Sequence, residues 1–128
     1  MRKTEDARGY SFWDVFANTD IQGQINISVT KPLQRRGFHL HKEKTDHWFC
    51  FEGTLLVVLL HPNYTLIEQH FLLKGDYLKI DPNIWHAYQN VSEKNSTLLY
   101  YETKKSGLNR ADDYELPLDT FNGWLKKL

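Results

Sequence analysis

Cysteine, net charge and long apolar runs are all scarce in this chain, and each scarcity excludes something. The 128 residues hold one cysteine, Cys50, so no intrachain disulfide is available to brace the fold. Cys50 sits in the strand-like run His47-Trp48-Phe49-Cys50-Phe51, where it reads as a small buried apolar side chain rather than a reactive thiol. Sixteen basic residues balance sixteen acidic ones. Without a basic surplus, a general nucleic-acid or polyanion binder is not expected, although Lys31, Arg35 and Arg36 form a local cluster able to hold one phosphorylated ligand. No N-terminal apolar h-region and no run of 18 or more apolar residues is present, so neither export nor membrane insertion is expected, and a reduced cytoplasm is the default.

Short strands punctuated by Gly, Pro and Asn fill the chain. The expected strands are Tyr10–Phe16, Gln24–Thr30, Phe38–Lys42, Asp46–Glu52, Thr54–Leu60, Thr65–Leu73, Tyr77–Ile80, His86–Asn90 and Thr97–Thr103. There is no internal repeat and no linker, so residues 1–128 are read as one domain. This spacing, with its aromatic and β-branched content, predicts an all-β antiparallel sandwich or barrel. Leu55 to Leu60 is apolar at every position, which predicts cover on both faces, the second cover coming from another subunit in so small a domain. A short helix is expected only at the end, over Phe121–Leu128, capped by Asp119 or Thr120.

The chemistry concentrates in one spacing pattern. Gly37-Phe38-His39-Leu40-His41 is followed after four residues by Asp46 and after six more by Gly53, and His86 answers it downstream. Residues two apart on a strand share a face, so His39 and His41 project together. Imidazole and carboxylate bind first-row metals or move protons near neutral pH. Taken singly, each has a plainer reading: His39 and His41 as hydrogen-bonded or exposed histidines, Asp46 within a solvated turn of Lys42, Glu43, Lys44 and Thr45, and His86 packed beside Trp85. Together in an apolar interior, a carboxylate would need a divalent metal or a His–Asp network to offset its burial. His39, His41, Asp46 and His86 would suit Zn, Fe, Ni or Mn, with open positions for a ligand. His61 and His70 read as surface residues, and His47 would face away from Asp46.

The pattern, with Gly75, Pro82 and Asn90 around His86, resembles the two-part signature of the cupin superfamily. That resemblance implies a double-stranded β-helix, or jelly-roll barrel, with His39, His41 and Asp46 from the first motif and His86 from the second. Asp46 stands where Glu is usual, and Asn83 where a Gly usually follows the Pro; Asn tolerates positive φ better than most residues. Flanking segments narrow the likeness: Arg36 to Lys42, Thr45 to Phe49, Trp85 to Asn90, and Asn109 to Asp119. These resemble dTDP-4-dehydrorhamnose 3,5-epimerase-like proteins and the dTDP-sugar 3,4-ketoisomerases, over roughly residues 24 to 119.

That narrower resemblance implies proton abstraction beside the ketone of a nucleotide-linked 4-keto-6-deoxy sugar, with no cofactor required. His39 matches the general base, Arg36 an arginine holding the nucleotide sugar, and Tyr100 the acid on the far face, with Tyr101 as its neighbouring alternative. His41 and Asp46 would orient or assist the base. Trp48, His86 and Tyr88 stand beside the motif as candidate substrate-binding groups, with core packing the plainer reading for the aromatics. Two departures stand out: the epimerases carry a lysine near the position of Asp46, and a C-terminal aspartate orients their base, for which this chain shows no counterpart. The rival reading is a metal-binding cupin, either a small-molecule oxygenase or a non-catalytic ligand-binding protein. A homodimer formed through its sheets is expected in either case.

Overall fold

A computed structural model describes residues 1–104 and 113–117. Eleven strands are seen among them: β1 (Arg2–Asp6), β2 (Gly9–Trp13), β3 (Gln24–Thr30), β4 (Arg35–His41), β5 (Asp46–Glu52), β6 (Thr54–Leu60), β7 (Leu66–Leu73), β8 (Tyr77–Ile80), β9 (Trp85–Asn90), β10 (Ser96–Glu102) and β11 (Asp113–Glu115). They form two antiparallel sheets, ordered β1-β2-β3-β10-β5-β8 and β11-β4-β9-β6-β7. The all-β expectation holds, and four strands have the bounds read from the sequence. β1 and β11 were not expected: β1 is exposed along its length, and three residues are too few to show a pattern. The strand expected over Tyr10–Phe16 ends at Trp13, because Asp14 turns to a φ of 52°. The helix expected over Phe121–Leu128 lies outside the described residues. No helix among the described residues is long and apolar enough to cross a membrane.

Strand β6 explains itself through its neighbours. Leu55, Val57 and Leu59 join Trp48, Cys50, Leu72, Ile80, Tyr88 and Leu98 in a core spanning both sheets. Leu56, Val58 and Leu60 point the other way and pack with Phe38, Leu40, Trp85 and Ala87. Leu116 lies against that second cluster, and the Tyr64 ring stacks on Trp85 at 6.1 Å. All six positions from Leu55 to Leu60 are therefore buried within one chain, so this strand needs no second subunit for cover. Each such Leu or Val contributes roughly 1.5–3 kcal/mol by leaving water.

Strand β3 inverts the usual pattern. Its polar residues Gln24, Asn26, Ser28 and Thr30 are buried, while Ile25 and Ile27 lie on the half-exposed face. Ser11 on β2 follows suit, and its hydroxyl meets that of Ser28 at 2.8 Å. The Gln24 amide donates to Asn26 Oδ1 (2.9 Å), and the Asp14 amide N–H donates to the same oxygen (2.8 Å). A half-buried strand ordinarily turns its apolar side inward. These groups hydrogen-bond to one another in the interior, and Ser28 among them reaches the cavity between the sheets.

Candidate functional site

The described residues enclose a cavity of about 370 Å³ between the sheets, within the range for small-ligand sites. His39, His41, Asp46, His86, Arg36, Trp48, Tyr88 and Tyr100 all line it. One local irregularity makes this possible. Arg36 and His39 are three apart and would face opposite ways on a regular strand. The β4–β9 register shifts between them, so both reach the same cavity. Gly37 occupies the irregularity with a φ of 109°, and a Cβ there would fall 2.6 Å from the His86 carbonyl oxygen and 2.7 Å from Ala87 Cα. Only glycine fits.

Asp46 opens β5, and its Oδ2 lies 3.7 Å from His41 Nε2 and 3.4 Å from His86 Nε2. All three side chains are buried, and their ligand atoms lie within 4.8 Å of one another. The Trp48 indole N–H donates to the same Oδ2 at 3.4 Å, while Oδ1 is buried with no hydrogen-bond partner. Burial opposes the Asp46 charge, but the neighbouring His41, His86 and Lys44 outweigh it, and its pKa lies below the ordinary value. His86 is anchored from behind, its Nδ1–H donating to the Ile84 carbonyl at 3.0 Å. Burial pushes its pKa down to about 4 despite the attraction of Asp46. The neutral ring, so tautomerised, turns the bare Nε2 toward a carboxylate oxygen.

Two acceptors facing each other across 3.4 Å are unfavourable unless a cation lies between them. Tetrahedral bonds of ~2.0–2.1 Å place ligand atoms about 3.4 Å apart, close to the 3.4 and 3.7 Å that separate His86 and His41 from Asp46. The residues present therefore fit a divalent metal held by His41, Asp46 and His86. His39, expected as a fourth ligand, stands outside this group. Its ring centroid lies 6.5 Å from that of His41 and 6.3 Å from that of His86.

His39 instead sits toward the cavity rim with its Nδ1 3.8 Å from Glu115 Oε1, the two side chains being 33% and 63% exposed. Asp46 pairs with His41 and His86 rather than with His39. Glu115 reaches this position because β11 pairs alongside β4, register partner to His39. Glu115 is thus a carboxylate near His39 from the C-terminal part of the chain, which the sequence reading did not single out. It was missed because a lone acid in a polar tail carries no spacing signal.

Tyr100 projects inward from β10, stacked edge-on to Trp13 at 6.3 Å, and lines the cavity. Burial first, then the Glu102 carboxylate, raises its pKa well above the ordinary value, so the hydroxyl keeps its proton. Tyr101 lies on the other face and donates to the Gln22 carbonyl, which leaves Tyr100 as the cavity residue. Tyr88 and Trp48 are buried against each other, ring centroids 5.4 Å apart, so they form wall rather than an open stacking platform. Arg36 is fixed by Nε donating to Thr30 Oγ1 (2.7 Å) and Nη2 to the Val29 carbonyl (3.3 Å). Arg8, which sequence reading did not single out, also lines the cavity.

Lys44 overturns a further expectation. It is not part of a solvated turn but buried, 3.4 Å from the Glu102 carboxylate on the cavity wall. His47 does face away from Asp46, meeting the Tyr77 hydroxyl at 2.5 Å. Asn83 adopts a φ of 66°, the left-handed conformation for which Asn substitutes for Gly. The Cys50 thiol is buried and pushed up to about 11, first by burial and then by Asp76 and Glu52, consistent with an inert core residue.

Comparison with known proteins fits this geometry. The capsular polysaccharide assembling protein CapF from Staphylococcus aureus superposes with a TM-score of 0.81 at 20% identity, over 91% of this chain. The chain has the cupin fold. It spans about a third of CapF, 32% of that protein's length. A cupin sugar phosphate isomerase from Silicibacter pomeroyi superposes with a TM-score of 0.59 at 21% identity, over 74% of this chain and 59% of that one. In sequence, the chain is 27% identical over 104 residues to the spore coat polysaccharide biosynthesis protein SpsL of Bacillus subtilis, covering 76% of this chain and 69% of SpsL. No family model matches the chain.

Proposed function

We propose that this cupin epimerises or isomerises a nucleotide-linked 4-keto-6-deoxy sugar, of the dTDP type, by proton transfer beside the ketone. The observation that carries the reading is the placement of His39 and Tyr100. They come from opposite sheets, His39 from β4 and Tyr100 from β10, and line one cavity. Such a reaction needs a base on one side of the sugar ring and an acid on the other. His39, with Nδ1 beside Glu115, takes the proton on the carbon α to the carbonyl at Nε2. The C–H electron pair passes into the enolate. Tyr100, held protonated by its surroundings, returns a proton from the opposite side and inverts the centre.

Arg36 and Arg8 supply guanidinium groups at the cavity, chemistry suited to a diphosphate. A metal held by His41, Asp46 and His86 would supply the electrophile that polarises the ketone, a task the related epimerases give to lysine. The polysaccharide-biosynthesis names of CapF and SpsL agree in substrate area with this reading. A second reading, favoured by the fully buried His41–Asp46–His86 group, is a metal-binding cupin that acts as an oxygenase or holds a ligand without turnover.

Solvent deuterium exchange at the carbons flanking the ketone of dTDP-4-keto-6-deoxyglucose tests the first reading. Wild type is expected to exchange and His39→Ala to fall to background; equal background rates in both would end it for this substrate class. Elemental analysis of protein purified without added metal addresses the second, where about one equivalent of Zn, Fe, Mn or Ni per chain, absent from His41→Ala and His86→Ala, is the supporting result.

A further inference from the structure

Charge changes along the length of the cavity. On β4, Arg36, His39 and His41 follow one another, and all three line the cavity. Arg36 is tied to Thr30, the last residue of β3. Arg8 comes from the same end, since the next residue, Gly9, is the register partner of Thr30. In the opposite sheet β10 runs away from that end, because Ser96 pairs with Thr30 and Glu102 with Gln24. Tyr100 and Glu102 therefore stand successively farther from the arginines, two apart and on one face of the strand. Six residues from Thr30 to Gln24 amount to about 20 Å at the usual rise. Asp46 is the register partner of Glu102 on β5 and contacts His41, so the inner group shares the far end.

We propose that Glu102 reads the sugar, accepting a hydrogen bond from the hydroxyl at C3 of the nucleotide-linked 4-keto sugar. It rests on the nucleotide-sugar reading and adds which part of the sugar is recognised. A pyranose joined to a diphosphate through C1 carries C3 and C4 on the ring edge away from the phosphates. With the phosphates at Arg8 and Arg36, that edge falls at the end of the cavity where Glu102 stands. The ketone oxygen at C4 has only lone pairs to offer, whereas the C3 hydroxyl has a proton to donate. An ionised carboxylate accepts and never donates, so Glu102 matches the hydroxyl and not the ketone.

The surroundings of Glu102 keep it ready for that task. Lys44 and Glu102 are both buried, 3.4 Å apart, and Glu102 lines the cavity. A carboxylate removed from water needs such a counter-charge. It offers about four acceptor sites, more than one ammonium fills. If the pair served stability alone, apolar residues of like volume would do as well. A hydroxyl bonded to a buried carboxylate is also a strong basis for selection, because an analogue without it leaves the carboxylate desolvated and unmatched.

Equilibrium dialysis of the full chain against dTDP, dTDP-4-keto-6-deoxyglucose and its 3-deoxy counterpart tests this. Wild type is expected to bind the 3-hydroxy sugar about 10- to 100-fold more tightly than the 3-deoxy sugar. Glu102→Gln is expected to lose most of that preference while its affinity for dTDP and its metal content stay at wild-type values. Lys44→Met combined with Glu102→Leu removes both charges together and decides the matter if Glu102→Gln fails to fold. Equal affinity of wild type for the two sugars overturns the proposal without any variant. So does a preference that survives in the double variant, a loss that falls equally on dTDP, or a loss of metal from Glu102→Gln. A wild type that does not bind dTDP removes the nucleotide-sugar reading itself, and this proposal with it.

Discussion

Two kinds of histidine–carboxylate contact share one cavity, and the contrast between them shows how burial divides the chemistry. At the inner end, His41 and His86 lie 3.7 and 3.4 Å from Asp46, with no side chain more than 7% exposed. At the rim, His39 lies 3.8 Å from Glu115, which is 63% exposed. The residue types and distances are nearly the same. In the dry group every charge must be balanced, the His86 tautomer is fixed from behind, and protons are excluded from the bare nitrogen. In the wet pair, solvent screens the attraction. The first arrangement suits holding a cation; the second suits moving a proton.

The sharpest way to break the inner half is Asp46→Asn. Removing one partner from a buried charged group is expected to cost on the order of 3–5 kcal/mol, because the other groups keep their desolvation without compensation. Denaturant unfolding should show that loss, and elemental analysis should show metal content at background. If Asp46→Asn keeps both wild-type stability and bound metal, the inner group is not a charge-balanced cation site.

His39→Gln is the complementary change. General-base removal is expected to slow proton exchange by about 10²–10⁴-fold. A half-exposed rim residue contributes little to the fold, so stability should move by no more than about 0.5 kcal/mol. Metal content should not change. A large stability loss from His39→Gln would erase the distinction between the two contacts.

Acid separates the two groups by stability. In chelator-treated protein, the folded pKa of His86 lies near 4, below its ordinary 6.5. Between those values the unfolded chain binds the proton and the folded chain does not. Stability is therefore highest above pH 6.5 and is lost as pH falls to about 4, by on the order of 3 kcal/mol. Asp46, also depressed, acts in the same direction at lower pH. His86→Gln should flatten the slope of melting temperature against pH across this window, whereas His39→Gln should leave it steep.

The division was only half legible in the sequence. All eight expected residues line one cavity, Arg36 and Tyr100 having come from the family resemblance and the histidines and Asp46 from strand periodicity and glycine positions, which are local signals. They could not show that Gly37 shifts the register, which brings Arg36 into line with His39. Lys44 looked solvated beside Lys42 and Glu43, since its partner Glu102 is 58 residues away and pairing over such distance leaves no local trace. The inverted β3 was recognised as a strand, yet which side faced inward depended on what the barrel encloses. Glu115 became a candidate only when β11 was seen beside β4.

Glu115→Gln is the smallest effect and the finest test of the comparison. An exposed ion pair is worth at most about 1 kcal/mol, so losing its charge should slow His39-dependent exchange by no more than roughly fivefold. Stability and metal content should be unaltered, since the carboxylate is largely exposed and is not one of the inner group's ligands. Raising ionic strength should slow wild type toward the variant, because the rim contact is screened within about 8 Å at physiological salt. A variant as inactive as His39→Gln would instead mean that Glu115 acts with the force of a buried partner. The rim would then close over the bound sugar, and the contrast between dry and wet ends would hold only in the ligand-free protein.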